Sequence, residues 1–174
     1  NKNRIIIWPE TSFEGSIPNE TKLLSNISKK ILKNKNTTLI LGLLRTDENK
    51  VFNSLIFLNS RGDIIYNYDK IKLVPFGEYI PFRHYLGTFI EMLAPKDFTS
   101  GKFRSNPTIH GFENIITLIC YEILFTNEIV KRLSKNTNLL ITTFAPITSK
   151  VIENCDKLIL IACGRGGPIN VNIK

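Results

Sequence analysis

One stretch of this 174-residue chain, residues 68–81, decides which fold is expected, and it reads YDKIKLVPFGEYIP. It starts at the end of a strand-like run and continues into a connection that contains several prolines. A lysine, Lys70, and a carboxylate, Glu78, lie within it among large apolar residues. A lysine held in apolar surroundings can stabilise a developing oxyanion, although a solvated loop lysine is the commoner situation. The stretch therefore predicts one basic group of a candidate site, with the solvated lysine as the alternative.

The residues on either side of this stretch alternate between strand and helix patterns. Apolar runs bounded by turn residues predict strands at residues 5–8, 37–44, 51–59, 63–68, 115–120, 138–143 and 157–162. Apolar residues at helical spacing predict helices at residues 18–35, 85–93 and 125–134, with Pro18 in the first turn of the first one. The turn at residues 60–63 predicts a β-hairpin. This alternation is typical of a layered α/β domain.

Composition and charge exclude several classes of protein. With 43% hydrophobic and 22% charged residues, the chain has the composition of one globular domain and not of a disordered segment. The net charge of +8 comes from scattered lysines, which leaves open a general compositional bias or a dedicated anion-binding face. There is no nucleic-acid motif, no visible signal peptide and no apolar run of about 20 residues that would span a bilayer.

The cysteines and histidines do not form a recognisable metal or disulfide pattern. The three cysteines are Cys120, Cys155 and Cys163, an odd and sparse set that argues against a disulfide framework. Their spacing also lacks the pattern of a zinc site. His84 and His110 lie in loop-like sequence and are interpreted as surface or packing residues.

Two further features place reactive groups at predicted strand ends. Glu10 follows the strand that ends in Trp8 and Pro9, where a carboxylate can project into a cleft and act as a base. A helix-capping or surface glutamate is the alternative. Cys120 ends another apolar run just before a predicted helix, whose dipole would lower the pKa of the thiol. A buried structural cysteine is the alternative there.

The order Glu, Lys, Cys, each at the end of a strand, resembles the nitrilase (carbon–nitrogen hydrolase) superfamily, and the local motifs resemble its apolipoprotein N-acyltransferase branch. Residues 8–11 resemble the W-P-E-T segment of those enzymes, and residues 68–81 their Y-x-K-x-x-L-V-P-F-G-E-x-x-P block. Residues 119–122 resemble their I-C-Y-E segment, and Asn53-Ser54 with Gly62 fit the hairpin that precedes the lysine. The resemblance covers about residues 5–140. It implies a nitrilase-like α-β-β-α sandwich, of the α/β class.

The resemblance also implies roles for individual residues. The nucleophile, the general base and the residue that stabilises the oxyanion match Cys120, Glu10 and Lys70 in that order. Acidic residues that support the site match Glu78 and Glu122. Tyr121 matches a position near the acyl-binding pocket. No metal and no organic cofactor is implied.

The implied reaction transfers an acyl chain from a phospholipid, through a cysteine thioester, to the N-terminal amine of a lipid-modified apolipoprotein. Two other interpretations stay open: a soluble carbon–nitrogen hydrolase (amidase) with the same Glu-Lys-Cys triad, and an inactive truncated remnant. Apolar loop residues are expected to contact acyl chains or the bilayer, or alternatively to pack on their own core; they are Phe76, Tyr79, Ile80, Phe82, Leu86, Phe89 and Leu93.

The sequence departs from the family at both ends. The family's membrane domain and a further strand before the W-P-E-T strand are absent, and no N-D-x-W-F-G segment follows the strand near residue 141. We therefore expect a sandwich that is incomplete at both ends. Residues 1–141 are expected to form a partial nitrilase-type catalytic domain, and residues 142–174 a divergent C-terminal tail that is flexible at residues 164–168. For a full-length protein, the resemblance implies the bacterial inner membrane, with a periplasmic catalytic domain.

Overall fold

The computed structural model describes residues 3–8, 10, 12–13, 15–33, 36–85, 96–109, 111–125, 127, 132, 136–142, 147 and 149–163. The predicted helices at 85–93 and 125–134 fall almost wholly outside these residues, as do His110 and residues 164–174. Among the lipid-contact candidates, Leu86, Phe89 and Leu93 also lie outside the described residues.

The first sheet is mixed and has five strands, with one helix between its second and third strands. Its elements are β1 Arg4–Ile7, β2 Ser16–Ile17, α1 Thr21–Ile31, β3 Thr37–Asp47, β4 Lys50–Leu58 and β5 Ile64–Asp69. The strands lie in the order β1-β3-β4-β5, and β2 also pairs with β3. β1 and β2 run parallel to β3, whereas β3, β4 and β5 form antiparallel pairs. The predicted hairpin is the β4–β5 pair.

The second sheet has three parallel strands. They are β6 Ile116–Leu118, β7 Leu139–Thr142 and β8 Leu160–Cys163, in that order. A short helix, α2 Ser149–Glu153, lies between β7 and β8, and 3₁₀ helices cover Arg83–Tyr85 and Cys120–Leu124.

Alternating side chains on the strands divide the core into layers. In β3, Leu39, Leu41 and Leu43 pack with Leu24 of α1 on one face of the first sheet. Ile40, on the opposite face, belongs to a cluster that includes residues of the second sheet. Since successive strand residues point to opposite faces, one apolar strand can serve both layers.

The outer face of the second sheet is also covered. Ile116, Leu118 and Leu140 cluster there with Ile147 and Val151, all fully buried or nearly so. The layers are therefore helix, sheet, sheet and helix. Residues 147–163 contribute a helix and a strand to the fold, and the domain boundary at residue 141 stays a prediction.

Several predicted elements differ from the structure at their ends; the strand predicted at 157–162, for example, is Leu160–Cys163. The first helix was predicted at 18–35, whereas α1 covers Thr21–Ile31. It begins later than predicted because Ser16–Ile17 pairs with β3 and residues 18–20 form the turn that follows this strand. Thr21 donates from its main-chain N–H and its hydroxyl to the carbonyl of Pro18, which therefore lies outside the helix. The strand predicted at 115–120 is regular only over Ile116–Leu118.

Candidate active site

Lys70 is a buried lysine that is paired with a carboxylate. It follows β5 directly, and only 1% of its side chain is exposed. Its Nζ lies 2.8 Å from Oε1 and 2.7 Å from Oε2 of Glu78. Burial of an unpaired ammonium group is strongly unfavourable, so Glu78 is what allows the charged lysine to be buried. The solvated loop lysine that the sequence left open is therefore wrong.

Main-chain hydrogen bonds fix the position of Lys70. Its N–H donates to the carbonyl of Asn53 at 2.8 Å, and its carbonyl accepts from the N–H of Gly101 at 2.8 Å. A Cβ atom at position 101 would collide with the carbonyl oxygen of Asp69. Glycine is required there because the two backbones approach so closely.

Glu10 lies just beyond β1 and is half-buried. Its Oε1 accepts a hydrogen bond of 2.9 Å from Nδ2 of Asn53, a buried residue of β4. The same Nδ2 lies 3.5 Å from Oε1 of Glu78. Asn53 thus connects the predicted base to the carboxylate that binds Lys70, and Glu10 is not a surface glutamate.

Cys120 is the first residue of the 3₁₀ helix Cys120–Leu124, and the residue is partly exposed. Its φ of +54° is unusual for a residue with a side chain, and such conformations are concentrated at functional sites. The buried structural cysteine that the sequence left open would be expected to be more fully buried than Cys120 is.

The electrostatic surroundings of Cys120 differ from the expectation of a lowered thiol pKa. Burial raises the pKa of the Cys120 thiol above its ordinary value, and the negative charge of Glu10 raises it further. The charge of Lys70 and a hydrogen bond from the N–H of Tyr121 lower it only in part. The described segment that begins at Cys120 is a short 3₁₀ helix, and the helix predicted at 125–134 falls almost wholly outside the described residues. The thiol is consequently protonated at neutral pH and needs a base.

Glu122 joins the segment that carries Cys120 to the segment that carries Lys70. Its carboxylate is 3% exposed and accepts main-chain hydrogen bonds from Ile119 (2.8 Å), Ile71 (2.7 Å) and Lys72 (3.0 Å). The hydroxyl of Tyr68 donates to it as well, at 2.9 Å. Burial raises the pKa of Glu122, and these main-chain hydrogen bonds oppose the shift. The sequence predicted a supporting carboxylate here, and that role stays a prediction.

Arg132 extends this buried network and was missed by the sequence interpretation. Its guanidinium donates to the hydroxyl of Tyr68 at 3.2 Å and to the carbonyl of Thr117 in β6 at 3.3 Å. In the sequence it follows Lys131 within the helix predicted at 125–134, and no motif singles it out. No periodicity could have identified its partners.

A second ion pair lies on the opposite face of β5. Arg45 donates two hydrogen bonds to Asp69, of 3.0 and 2.9 Å, and Ser54 donates one of 2.6 Å. Burial alone would raise the pKa of Asp69, but the hydrogen bonds from Arg45 and Ser54 bring it below its ordinary value. Asp69 and Lys70 are consecutive, so this pair anchors the end of β5 from which Lys70 projects.

Cavities and exposed aromatic residues lie beside these groups. A cavity of about 460 Å³ is lined by Ile71, Lys72, Leu73, Tyr79, Asp97, Phe98 and Ser100. A smaller one, of about 100 Å³, is lined in part by Glu78 and Tyr79. Phe76 is 81% exposed and Phe82 70%, both at positive φ, and Tyr121 is 44% exposed. The alternative that Phe76 and Phe82 pack on the core of their own loop is therefore wrong.

Two kinds of feature are not found in the part of the chain that the structure describes. No three His, Cys, Asp or Glu side chains there are grouped as metal ligands. None of the helices in those residues has the length and hydropathy needed to cross a membrane.

Comparison with known proteins agrees with the fold and with the sequence motifs. The family model described as carbon–nitrogen hydrolase matches residues 2–155. An apolipoprotein N-acyltransferase of Allorhizobium ampelinum is 33% identical over 139 residues, which are 75% of this chain and 26% of that protein. An apolipoprotein N-acyltransferase of Rhizobium leguminosarum bv. trifolii is 36% identical over 138 residues, 73% of this chain and 25% of that protein. The chain thus spans about a quarter of the length of the curated relatives it matches.

A solved structure of a carbon–nitrogen hydrolase superfamily protein from Xanthomonas campestris superposes with a TM-score of 0.53. The identity is 15%, over 83% of this chain and 54% of that one, so this likeness concerns the fold alone. The nitrilase-type α/β sandwich expected from the sequence is confirmed, and so is the resemblance to apolipoprotein N-acyltransferases.

Proposed function

The chain belongs to the carbon–nitrogen hydrolase family, and we propose that it is the catalytic part of an acyltransferase that acts on an apolipoprotein. The acyl donor is a phospholipid, and the acceptor is the N-terminal amine of a lipid-modified apolipoprotein. The curated relatives named apolipoprotein N-acyltransferase support this substrate class. For the whole protein, we propose association with the bacterial inner membrane and a periplasmic catalytic domain.

In the first step, Cys120 attacks the carbonyl carbon of a phospholipid ester. Glu10 takes the thiol proton as the sulfur–carbon bond forms, and Lys70 stabilises the negative charge on the carbonyl oxygen. The ester carbon–oxygen bond then breaks, and the proton held by Glu10 passes to the leaving alkoxide. The products are a thioester on Cys120 and a lysophospholipid.

In the second step, the amine of the apolipoprotein attacks the thioester carbonyl. A carbon–nitrogen bond forms, the carbon–sulfur bond breaks, and the amine proton returns to the thiolate through Glu10. The enzyme regains its starting state, and no further reactant is required. Separate acyl-enzyme formation and release predict ping-pong kinetics.

One observation carries the proposal: Asn53 contacts both Glu10 and the carboxylate that binds Lys70, so the predicted base lies close to the buried ammonium group. The charges of Glu10 and Lys70 also act on the Cys120 thiol, with opposite signs. A protonated thiol needs a base to take its proton, and a carbonyl under attack needs a cation to stabilise the negative charge that develops on its oxygen. The exposed Phe76 and Phe82 beside the site suit an acyl chain or a lipid surface.

The first test is acyl transfer to the 174-residue chain from a detergent-dispersed phospholipid, followed by peptide mass spectrometry. We expect one acyl group on the Cys120 peptide, released by hydroxylamine as a thioester. Cys120→Ala should abolish the adduct, whereas Cys155→Ala, a matched change at a buried cysteine outside the site, should keep it. Acylation of the Cys120→Ala variant at the wild-type rate would refute the proposal.

A second arm separates the alternatives. If the chain hydrolyses a short amide such as propionamide but takes no acyl group from phospholipid, the amidase interpretation is correct. If it does neither, the inactive remnant is correct.

A further inference from the structure

Asn53 is a buried polar residue whose contacts lie in the candidate site. It is 5% exposed and belongs to β4, next to Ser54, whose side chain points to the opposite face. Its Nδ2 donates to Oε1 of Glu10 at 2.9 Å and lies 3.5 Å from Oε1 of Glu78. Because both neighbours are carboxylates, the amide must present its NH₂ group to them and not its oxygen. The orientation of this side chain is thus fixed by chemistry.

The charges around Asn53 explain why a neutral donor is useful at this position. Two carboxylates, Glu10 and Glu78, share the site with one ammonium group, Lys70, which already contacts both oxygens of Glu78. Without a donor between them, the two like charges would repel each other and Glu10 would lose a partner that holds it in place. One NH₂ group has two protons, which suffice for two carboxylate oxygens.

The main chain of Asn53 holds the other half of the site. Its carbonyl accepts the N–H of Lys70 at 2.8 Å. A single residue therefore contacts the predicted base through its side chain and the lysine through its backbone. A side-chain substitution removes the first contact and leaves the second in place, which makes the two separable by experiment.

We propose that Asn53 is a positioning residue that holds Glu10 in the orientation needed to take the proton from Cys120. This inference rests on the proposed function, since it assumes that Glu10 is the base. It goes beyond that function by assigning a task to a residue outside the Glu10–Lys70–Cys120 triad.

The test measures single-turnover acylation of Cys120 in the 174-residue chain by p-nitrophenyl butyrate, an activated ester that needs no lipid surface. Asn53→Leu removes the donor at similar size without adding charge, and Asn53→Asp keeps the shape and replaces the NH₂ group with an acceptor. Ser28→Ala is the matched control, because Ser28 is also a buried hydrogen-bond donor, and its partner is the carbonyl of Asn59, outside the candidate site. Circular dichroism establishes that each variant is folded.

We expect both Asn53 variants to lower the maximal acylation rate at neutral pH by roughly 10- to 100-fold, the size of effect that follows from a misplaced general base. The half-saturating ester concentration should stay within about two-fold of wild type, because Asn53 does not bind the ester. The difference from wild type should shrink at alkaline pH, where hydroxide supplies the thiolate. Ser28→Ala should follow the wild-type profile throughout.

Three results would overturn the inference alone. They are Asn53 variants with wild-type rates, variants whose rates fall equally at every pH, and a Ser28→Ala profile that matches those of the Asn53 variants. A wild-type chain that reacts with neither the activated ester nor phospholipid would overturn it together with the proposed function. A wild-type chain that is acylated by the activated ester but not by phospholipid would refute the proposed function alone, and the Asn53 variants would still decide the inference.

Discussion

Replacement of Lys70 by methionine should destabilise the fold as well as remove activity. The side chain is 1% exposed, and methionine has a similar length without the charge. The change would leave Glu78 with the N–H of Val74 at 2.9 Å and the longer contact from Asn53. Removing one partner of a buried ion pair typically costs about 3–5 kcal/mol, because the other charge stays buried. Glu78 is 13% exposed and keeps some access to water, so the lower end, about 3 kcal/mol, applies.

Urea unfolding measures this loss directly. Trp8, the one tryptophan of the chain, packs against the core cluster beneath α1 and provides the fluorescence signal. With a urea dependence of about 2 kcal/mol per molar, a loss of about 3 kcal/mol lowers the midpoint by about 1.5 M. The double variant Lys70→Met/Glu78→Gln removes both charges and should recover a large part of the loss. A Lys70→Met variant as stable as wild type would refute the pairing argument. A double variant that loses more free energy of unfolding than the two single variants lose together would also refute it.

Two further predictions concern pH. Glu10→Gln removes a negative charge that raises the pKa of Cys120. The pH profile for alkylation of Cys120 by iodoacetamide should therefore shift to lower pH, while acylation of Cys120 by an ester becomes slower. An alkylation profile that moves to higher pH would contradict the assigned electrostatics. The pKa of Asp69 is lowered in the folded state, so its contribution to stability is present above the ordinary aspartate pKa and is lost as pH falls through the folded value. Asp69→Asn weakens the pair with Arg45 and should therefore reduce stability at neutral pH. Thermal melting across the acid range should also show that the variant loses less stability than wild type below about pH 4. The same dependence of melting temperature on acid pH in both proteins would contradict this prediction.

The described residues show why the strands were easier to predict than their ends. The apolar run at 37–44 is a strand because its alternating side chains fill two cores, and this information lies within the run itself. The start of α1 depends instead on the pairing of Ser16–Ile17 with β3, a contact between segments almost 30 residues apart. The break after Leu118 depends on the carboxylate of Glu122, which takes the N–H of Ile119 that a longer strand would use. The pairing of Ser16–Ile17 with β3 is long-range and leaves no local pattern, whereas the hydrogen bond from Ile119 to Glu122 spans only three residues.

What the sequence determined by itself is the alternation of elements and the order of Glu10, Lys70 and Cys120 at strand ends. These follow from hydrophobic periodicity and from motifs, both of which can be obtained from the chain without coordinates. Only the tertiary structure decided which groups contact one another: Lys70 with Glu78, Glu10 with Asn53, and the carboxylate of Glu122 with two separate segments. It also reversed the expected direction of the Cys120 pKa shift. The physical reason is that burial and charge act through space, so a thiol's environment depends on residues that are distant in the sequence and close in the fold.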